Sequence, residues 1–330
     1  MAVLVTGGAG YIGSHMVYAL CDAGEDVVVL DNLTTGFWWA IAPQAKLVEG
    51  DIGDEALIAQ LAKDHKLDAI IHFAGSIVVP ESVADPLAYY LNNTVKTRSL
   101  IAAAVKAGIP RFVFSSTAAV YGNPASVPVE EDAVLAPISP YGSSKLMSEW
   151  MLRDSHAAYG LQYVALRYFN VAGADPQGRT GQSTPKATHL IKVACQTVLG
   201  ERPHMDIFGD DYDTPDGTCL RDYIHVSDLA LAHLDALKHL RNCGASGAYN
   251  CGYGQGYSVL DIIKAVEKAA GKPVNARMAP RRAGDPAAIV AASTKIKQEM
   301  GWSPQYQDID RIVESALAWE DYLRQRNEAA

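Results

Sequence analysis

The stretch that decides the fold reads Ala2-Val3-Leu4-Val5-Thr6-Gly7-Gly8-Ala9-Gly10-Tyr11-Ile12-Gly13. Its apolar first part predicts a buried strand, and a helical pattern follows from Ser14 to Ala23. Glycines at 7, 10 and 13 lack the Cβ atoms that would block a tight turn, close approach of a ligand and close helix–strand packing. This spacing is typical of a loop that binds the pyrophosphate of a dinucleotide at a helix N-terminus.

The end of the second predicted strand, Val27–Asp31, indicates which dinucleotide binds. Asp31 lies close to the ~20 residues beyond the glycines at which an acid contacts the adenosine ribose. A carboxylate there accepts hydrogen bonds from ribose hydroxyls and repels a 2′-phosphate. The sequence therefore predicts NAD rather than NADP.

Short apolar runs alternate with longer helical patterns up to about residue 170, which predicts an α/β fold with a doubly wound, Rossmann-like parallel sheet. Further strands are predicted at Leu47–Ile52, Ala69–Ala74, Phe112–Ser115 and Val164–Tyr168, with helices at Pro86–Ala107 and Tyr141–Tyr159. Beyond Asn170 we predict loops at Asp175–Pro185 and Gly209–Gly217, and helices at His189–Leu199, Val226–Leu240, Val259–Ala270 and Ile309–Arg324.

Composition limits the classes of partner. The chain has 330 residues, 49% of them hydrophobic, and a formal net charge of -9, which argues against nucleic acid or an anionic membrane surface. The histidines show no metal-binding spacing, so we predict no metal. Five scattered cysteines and the lack of a basic leader or a long apolar run favour a cytoplasmic protein with reduced thiols. The cysteines are Cys21, Cys195, Cys219, Cys243 and Cys251.

The pair Tyr141 and Lys145 is the strongest chemical signal. Residues four apart share one face of a helix, and a nearby ammonium favours ionised tyrosine, whose ordinary pKa is about 10. The cluster Ser115-Ser116-Thr117 follows an apolar strand and offers a hydroxyl on the other side of the cleft. With a bound dinucleotide to take hydride, a hydroxyl from this cluster, Tyr141 and Lys145 together predict oxidation of an alcohol.

The chain resembles the extended short-chain dehydrogenase/reductase family and, within it, the UDP-glucose 4-epimerases. Besides the glycine loop, the resemblance rests on motifs spread over nearly the whole chain. These are Glu49-Gly50-Asp51-Ile52, Ile71-His72-Phe73-Ala74-Gly75, Arg167-Tyr168-Phe169-Asn170, Ile207-Phe208-Gly209, Asp216-Gly217-Thr218, Arg221-Asp222-Tyr223-Ile224-His225-Val226 and Ala279-Pro280-Arg281-Arg282-Ala283-Gly284-Asp285.

The resemblance implies reversible epimerisation at C4 of a UDP-hexose through a 4-keto sugar. Tyr141 is expected to move the proton, Thr117 to bond the sugar oxygen, and Lys145 to bind the nicotinamide ribose. The cofactor residues implied are Gly7, Gly10, Tyr11, Ile12, Gly13, Asp31, Asn32, Asp51, Ile52, Phe73, Ala74, Gly75, Asn92, Ser115, Tyr141, Lys145 and Tyr168. The substrate residues implied are Thr117, Tyr141, Asn170, His189, Phe208, Arg221, Arg282 and Asp285.

The resemblance also implies an organisation. Residues 1–175 are expected to bind NAD. Residues 176–330 are expected to form a smaller α/β domain that mainly binds UDP-sugar, with about 220–255 returning to the large domain. A homodimer is expected through helices at 86–108 and 141–160.

Three departures leave the substrate open. Ile77 stands where some members have a lysine, His189 where some have an asparagine, and Ile289 where some have a tyrosine thought to limit sugar bulk. UDP-N-acetylhexosamines, UDP-pentoses and UDP-uronates are therefore alternative substrates. A 4,6-dehydratase is disfavoured because Ala118-Ala119 stands where that chemistry places a carboxylate pair. A non-catalytic NAD sensor would need neither Tyr141 nor Lys145.

Overall fold

The computed structural model describes residues 1–184, 188–282 and 285–328. The strands are β1 (Ala2–Thr6), β2 (Asp26–Asp31), β3 (Lys46–Glu49), β4 (Leu67–His72), β5 (Arg111–Ser115), β6 (Gln162–Tyr168), β7 (Asn170–Ala172), β8 (Met205–Phe208), β9 (Leu220–His225), β10 (Gly247–Cys251), β11 (Gly256–Ser258), β12 (Ala276–Ala279) and β13 (Ala288–Ile289). The α-helices are α1 (Tyr11–Asp22), α2 (Glu55–His65), α3 (Val79–Ala84), α4 (Pro86–Tyr89), α5 (Lys96–Ala107), α6 (Pro140–Tyr159), α7 (Leu190–Val198), α8 (Val226–Arg241), α9 (Val259–Ala270), α10 (Thr294–Met300) and α11 (Ile309–Glu328).

Within these described residues, the main sheet has seven parallel strands in the order β10-β6-β5-β4-β1-β2-β3. The order reverses between β1 and β4, which opens a crevice at the carboxyl ends of the strands. The predicted doubly wound sheet is confirmed, and the predicted strands β1, β2 and β4–β6 all belong to it.

The side chains of β1 alternate between the two faces of the sheet, and helices pack against both faces. Val3 and Val5 face the cluster formed with α1 and α8, whereas Ala2 and Leu4 face the cluster formed with α2 and α5. Successive side chains of a strand point to opposite faces, so a strand buried on both sides is apolar throughout. The glycine loop after β1 therefore lies at the open edge of a fully packed layer.

The C-terminal half contributes smaller sheets and returns one strand to the large one. Strand β9 pairs with β7, β11 and β13, and β8 pairs with β12. A separate apolar core lies among α7, α9 and α11. Strand β10 pairs with β6, and α8 packs against α1.

The predicted helix at Pro86–Ala107 is interrupted in the structure. A π-helical segment, Tyr90–Val95, separates α4 from α5. Within it, Asn93 is buried, accepts from the Ser76 N–H and donates to Ser144 Oγ. A π-helical turn directs its side chains differently from an α-helix. Such turns are frequent at functional sites.

The predicted loop at Asp175–Pro185 is irregular through residue 184, and Pro185 lies outside the described residues. In the described part of the chain, none of the helices combines the length and apolar character required to cross a bilayer.

Candidate active site

The backbone of the glycine loop is packed so closely that a Cβ atom at Gly7 or Gly13 would overlap neighbouring atoms. Gly7 has φ +71°, and a Cβ there would lie 2.5 Å from the Ala74 nitrogen. A Cβ on Gly13 would lie 2.1 Å from the Gly7 oxygen, whereas one on Gly10 would meet only that oxygen, at 3.3 Å. Helix α1 begins at Tyr11, directly after this turn, so its free N–H groups face the crevice. The cradle fits a pyrophosphate.

Asp31 ends β2 and is fixed by the backbone. Its two carboxylate oxygens accept from the Ala9 and Leu33 N–H groups, each at 2.9 Å. Each oxygen keeps a further lone pair, so the carboxylate remains able to accept from ribose hydroxyls. Asn32, the next residue, is exposed and accepts from Thr34.

Asp51, one of the predicted cofactor residues, already has a protein partner. Lys96 Nζ lies 2.5 Å from its carboxylate, and the Gly53 N–H donates to it at 2.8 Å. Burial favours the neutral acid, but the Lys96 ammonium and the Gly53 N–H together hold the pKa of Asp51 below its usual range. The neighbouring Ile52 is buried.

The turn after β4 brings its backbone to the edge of the crevice. The Phe73 and Ala74 N–H groups both donate to the Thr6 oxygen, which ties this turn to the glycine loop. A Cβ on Gly75 would lie 3.6 Å from Lys145 Nζ. Asn92 donates to Ser76 Oγ at 2.9 Å, at the same edge.

The predicted catalytic side chains meet at the ends of β5 and β6. Tyr141 and Lys145 lie on α6 and are 7% and 3% exposed, so water has little access to either. Lys145 Nζ donates to the Ser115 oxygen at 3.0 Å, and Ser115 Oγ lies 2.6 Å from the Tyr168 hydroxyl. Thr117 also lies beside this group, since its side chain is close enough to lower the pKa of Tyr141.

The protonation of this group differs from the sequence-based expectation. Burial raises the pKa of Tyr141, and the neighbouring Thr117 side chain only partly offsets this. Burial also lowers the pKa of Lys145 to about 8, against the opposing effect of Glu149. The Lys145 side chain donates to the Ser115 oxygen.

A second cluster lies on the substrate side. Arg221 donates to the Leu220 and Pro286 oxygens, and its NH2 lies 3.5 Å from Asp285. The Arg282 guanidinium lies 3.7 Å from the centre of the Phe208 ring. The Asp285 N–H donates to the Arg282 oxygen at 3.3 Å, so four of the predicted substrate residues are brought together.

Asn170 and His189 line a neighbouring cavity, together with Tyr11 and Tyr223. His189 Nδ1 is buried, and none of the residues that the structure describes is a hydrogen-bond partner for it. Burial, assisted by the Lys192 charge, lowers the pKa of His189 to about 4, so its ring is neutral at pH 7. A neutral imidazole with a free nitrogen is available to a ligand.

A buried ion pair that was not predicted from the sequence lies behind the catalytic group. Glu149 accepts from Arg167 Nε at 3.0 Å and from Arg167 NH2 at 2.6 Å, and it also accepts from Ser116 Oγ. The pair fixes α6 against the ends of β5 and β6. Glu149 was visible in the sequence, since it continues the four-residue spacing of Tyr141 and Lys145 on one helix face.

The chain is similar to known proteins over nearly its whole length. Residues 3–252 match the NAD dependent epimerase/dehydratase family. A UDP-glucose 4-epimerase of Azospirillum brasilense is 60% identical, over 98% of this chain and 93% of that protein. The crystal structure of UDP-glucose 4-epimerase from Brucella ovis in complex with NAD superposes with a TM-score of 0.94, at 44% identity over 96% of this chain and 97% of that one. The Bifidobacterium longum enzyme in complex with NAD+ and UDP superposes with a TM-score of 0.92, at 40% identity over 98% of both chains.

Proposed function

The chain belongs to the NAD dependent epimerase/dehydratase family, and we propose that Tyr141 moves the proton in its reaction, assisted by Thr117 and Lys145. The reaction is the reversible C4 epimerisation of a UDP-hexose, UDP-glucose or UDP-galactose, with NAD as cofactor. When bound, NAD accepts a hydride from the sugar carbon and returns it. The observation that carries the proposal is the buried phenol of Tyr141, with Thr117 and Lys145 beside it at the crevice.

The side chains divide the proton chemistry. Tyr141, as phenolate, takes the proton of the sugar C4 hydroxyl while the C–H bond at C4 breaks, and it returns that proton when the bond re-forms on the other face. Thr117 donates a hydrogen bond to the same oxygen. Because burial opposes the phenolate, the Lys145 cation must act with the bound ligands to stabilise it. Little water reaches Tyr141, which protects the 4-keto sugar.

We propose that the substrate cluster holds the UDP part of the sugar nucleotide. Arg221 and Arg282 donate charge-assisted hydrogen bonds to diphosphate oxygens. Phe208 packs against the uracil ring, and Asp285 accepts from ribose hydroxyls. Asn170 and His189 complete the set from the neighbouring cavity. The Bifidobacterium longum structure is in complex with NAD+ and UDP, which supports binding of a uridine nucleotide by this fold.

We propose the cofactor set named from the sequence, and a division into residues 1–175 for NAD and 176–330 mainly for UDP-sugar. The turn at Gly7 and the anchored Asp31 support the first part. The pairing of β10 with β6 supports a return of about 220–255 to the large sheet.

The sugar pocket leaves a second candidate substrate class, the UDP-N-acetylhexosamines. Ile289 is buried in an apolar cluster with Ala118 and Leu146, directly beside Thr117 and α6. A branched aliphatic side chain there takes less room than a tyrosine would.

A panel of UDP-sugars tests the function. The glucose, galactose, N-acetylglucosamine, N-acetylgalactosamine, glucuronate and xylose nucleotides are each incubated with the protein and assayed for the C4 epimer. We expect UDP-glucose and UDP-galactose to interconvert. Formation of no C4 epimer from any of them would reject the proposal.

We also propose a cytoplasmic homodimer. Leu87, Leu91 and Val95 recur every four residues and are 77%, 55% and 52% exposed, and Met147 and Trp150 on α6 are partly exposed as well. Apolar side chains in such a row are typical of an interface between helices. The free state of all five cysteines supports a reducing compartment.

Light scattering coupled to size exclusion tests the dimer. We expect Leu91→Asp to give monomers, because a charge would be buried in the interface. Val134→Asp is the control, since Val134 is 81% exposed and lies outside these helices. A monomeric wild type would contradict the proposal, as would a Leu91→Asp variant that stays dimeric.

A further inference from the structure

An aromatic contact joins the two halves of the molecule beside the cofactor crevice. Trp39 follows β2 in the loop after Asp31, and Trp319 lies on α11 of the C-terminal half. Their rings are stacked, with centroids 6.5 Å apart and 28° between planes. The Arg326 guanidinium covers the Trp39 ring at 3.9 Å. The loop after β2 is therefore attached to the last helix of the chain.

Trp319 also supports a second segment. A Cβ on Gly181 would come within 2.4 Å of the Trp319 ring, so the backbone of Gly181 lies directly on the indole. Trp319 Nε1 donates to Ser183 Oγ at 3.3 Å. One buried side chain, 4% exposed, thus holds both segments.

These two segments form the walls of one small cavity at the start of α1. The floor of the cavity is Gly10 and Tyr11, where the helix N–H groups begin. One wall carries Phe37, whose N–H donates to the Ala9 oxygen at 2.9 Å. The other wall carries Gly181 and Ser183. The proposed cofactor site would place a pyrophosphate at this helix N-terminus, between the two walls.

We propose that Trp39, Trp319 and Arg326 form a latch that sets how fast NAD leaves the protein. The inference rests on the cofactor site proposed above. None of the three needs to touch NAD, because the latch acts by holding the walls together. For NAD to leave, the walls must part, and parting them breaks the stacking and the cation–π contact. The reaction consumes no NAD, so slow release preserves an active enzyme.

Exchange of bound NAD for radiolabelled NAD tests the latch in the purified holoenzyme. Trp39→Leu and Arg326→Ala remove one partner each, and Trp319→Phe keeps a ring but removes the bond to Ser183. The matched control is Trp38→Leu, because Trp38 is adjacent but 69% exposed. We expect Trp39→Leu to exchange about tenfold faster than wild type, since a lost aromatic pair and cation–π contact together have that magnitude. Arg326→Ala and Trp319→Phe are expected to fall between it and wild type.

The readout separates release from chemistry. With excess NAD added, kcat of the Trp39→Leu variant should stay within about twofold of wild type, because the catalytic group is untouched. Wild-type exchange rates in folded Trp39→Leu and Arg326→Ala variants would overturn the latch. Equal acceleration in Trp38→Leu would overturn it as well. A wild-type protein that exchanges no NAD because it holds none would instead contradict the cofactor site itself.

Discussion

The two proposed ligand-binding regions are built by different means. Around the glycine loop the backbone forms the site: Gly7 has a positive φ, and Asp31 is fixed by two N–H groups. On the substrate side, side chains form the site and support one another. Arg282 lies on the Phe208 ring, and Arg221 lies 3.5 Å from Asp285.

This difference teaches where each region is vulnerable. A backbone site fails when an added atom has no room, whereas a side-chain site loses affinity when one charge is removed but keeps its fold. The catalytic group between them combines both, because buried side chains are anchored on backbone atoms such as the Ser115 oxygen. Substitutions in each place can therefore break or sharpen the contrast.

The largest effect is expected at the catalytic group. Tyr141→Phe removes one oxygen from a buried ring, so binding of NAD and of UDP should be unchanged while kcat falls by roughly 10²–10⁴-fold. Initial rates with UDP-galactose, together with NAD content, check this. A variant that turns over at the wild-type rate would remove Tyr141 from its role.

The glycine loop offers a matched pair. Gly7→Ala should destabilise the fold by about 3 kcal/mol, because the Cβ is strained and overlaps the Ala74 backbone. Gly10→Ala should change the unfolding midpoint little, because its Cβ meets only the Gly7 oxygen, at 3.3 Å. It should bind NAD more weakly, because the added methyl group blocks the close approach of the pyrophosphate. Denaturant unfolding and NAD titration measure both. Equal stability of the two variants would show that the backbone does not define this site.

The substrate side should respond in affinity alone. Arg282→Ala should raise the Kd for UDP about ten- to a hundredfold, the usual value of a charge-assisted hydrogen bond, and leave stability unchanged. Arg277→Ala is the control, since Arg277 is exposed on β12. Calorimetric titration with UDP checks the pair, and similar Kd values for both variants would contradict the assignment.

The smallest effect concerns pH. Burial lowers the pKa of Lys145 to about 8, so the unfolded chain holds the extra proton between about pH 8 and the ordinary lysine pKa of about 10.4. The cost of the buried charge is complete below pH 8 and is relieved as pH rises through this window. Cofactor-free Lys145→Met should therefore be more stable than wild type by about 1–2 kcal/mol at pH 7, with the difference shrinking by pH 10. A difference that does not change with pH would show that Lys145 does not titrate in this window.

The sequence predicted what local spacing controls. Gly7 and Gly13 predict a tight turn. Tyr141 and Lys145 share a helix face because they are four residues apart. The direction in which the Lys145 ammonium points was not predictable, since its partner is a strand-end carbonyl far along the chain.

The same limit applies to longer distances. The pattern of residues 309–324 predicts an amphipathic helix, but nothing in it indicates that Trp319 reaches Trp39. The π-helical turn at Tyr90–Val95 depends on how Asn93 bonds to Ser76 and Ser144, which tertiary packing decides. Local spacing therefore predicts the helices and strands and the shared helix face of Tyr141 and Lys145. Tertiary packing decides which residues these elements contact.

Isotope tracing tests the central claim most directly. UDP-galactose with deuterium at C4 is converted by the holoenzyme in ordinary water, and the UDP-glucose formed is analysed by mass and by NMR. Hydride transfer to and from the held NAD predicts that deuterium stays at C4 and that the labelled sugar reacts more slowly. Loss of the deuterium to solvent would contradict the account. Equal rates for labelled and unlabelled UDP-galactose, measured where the chemical step limits the rate, would contradict it as well.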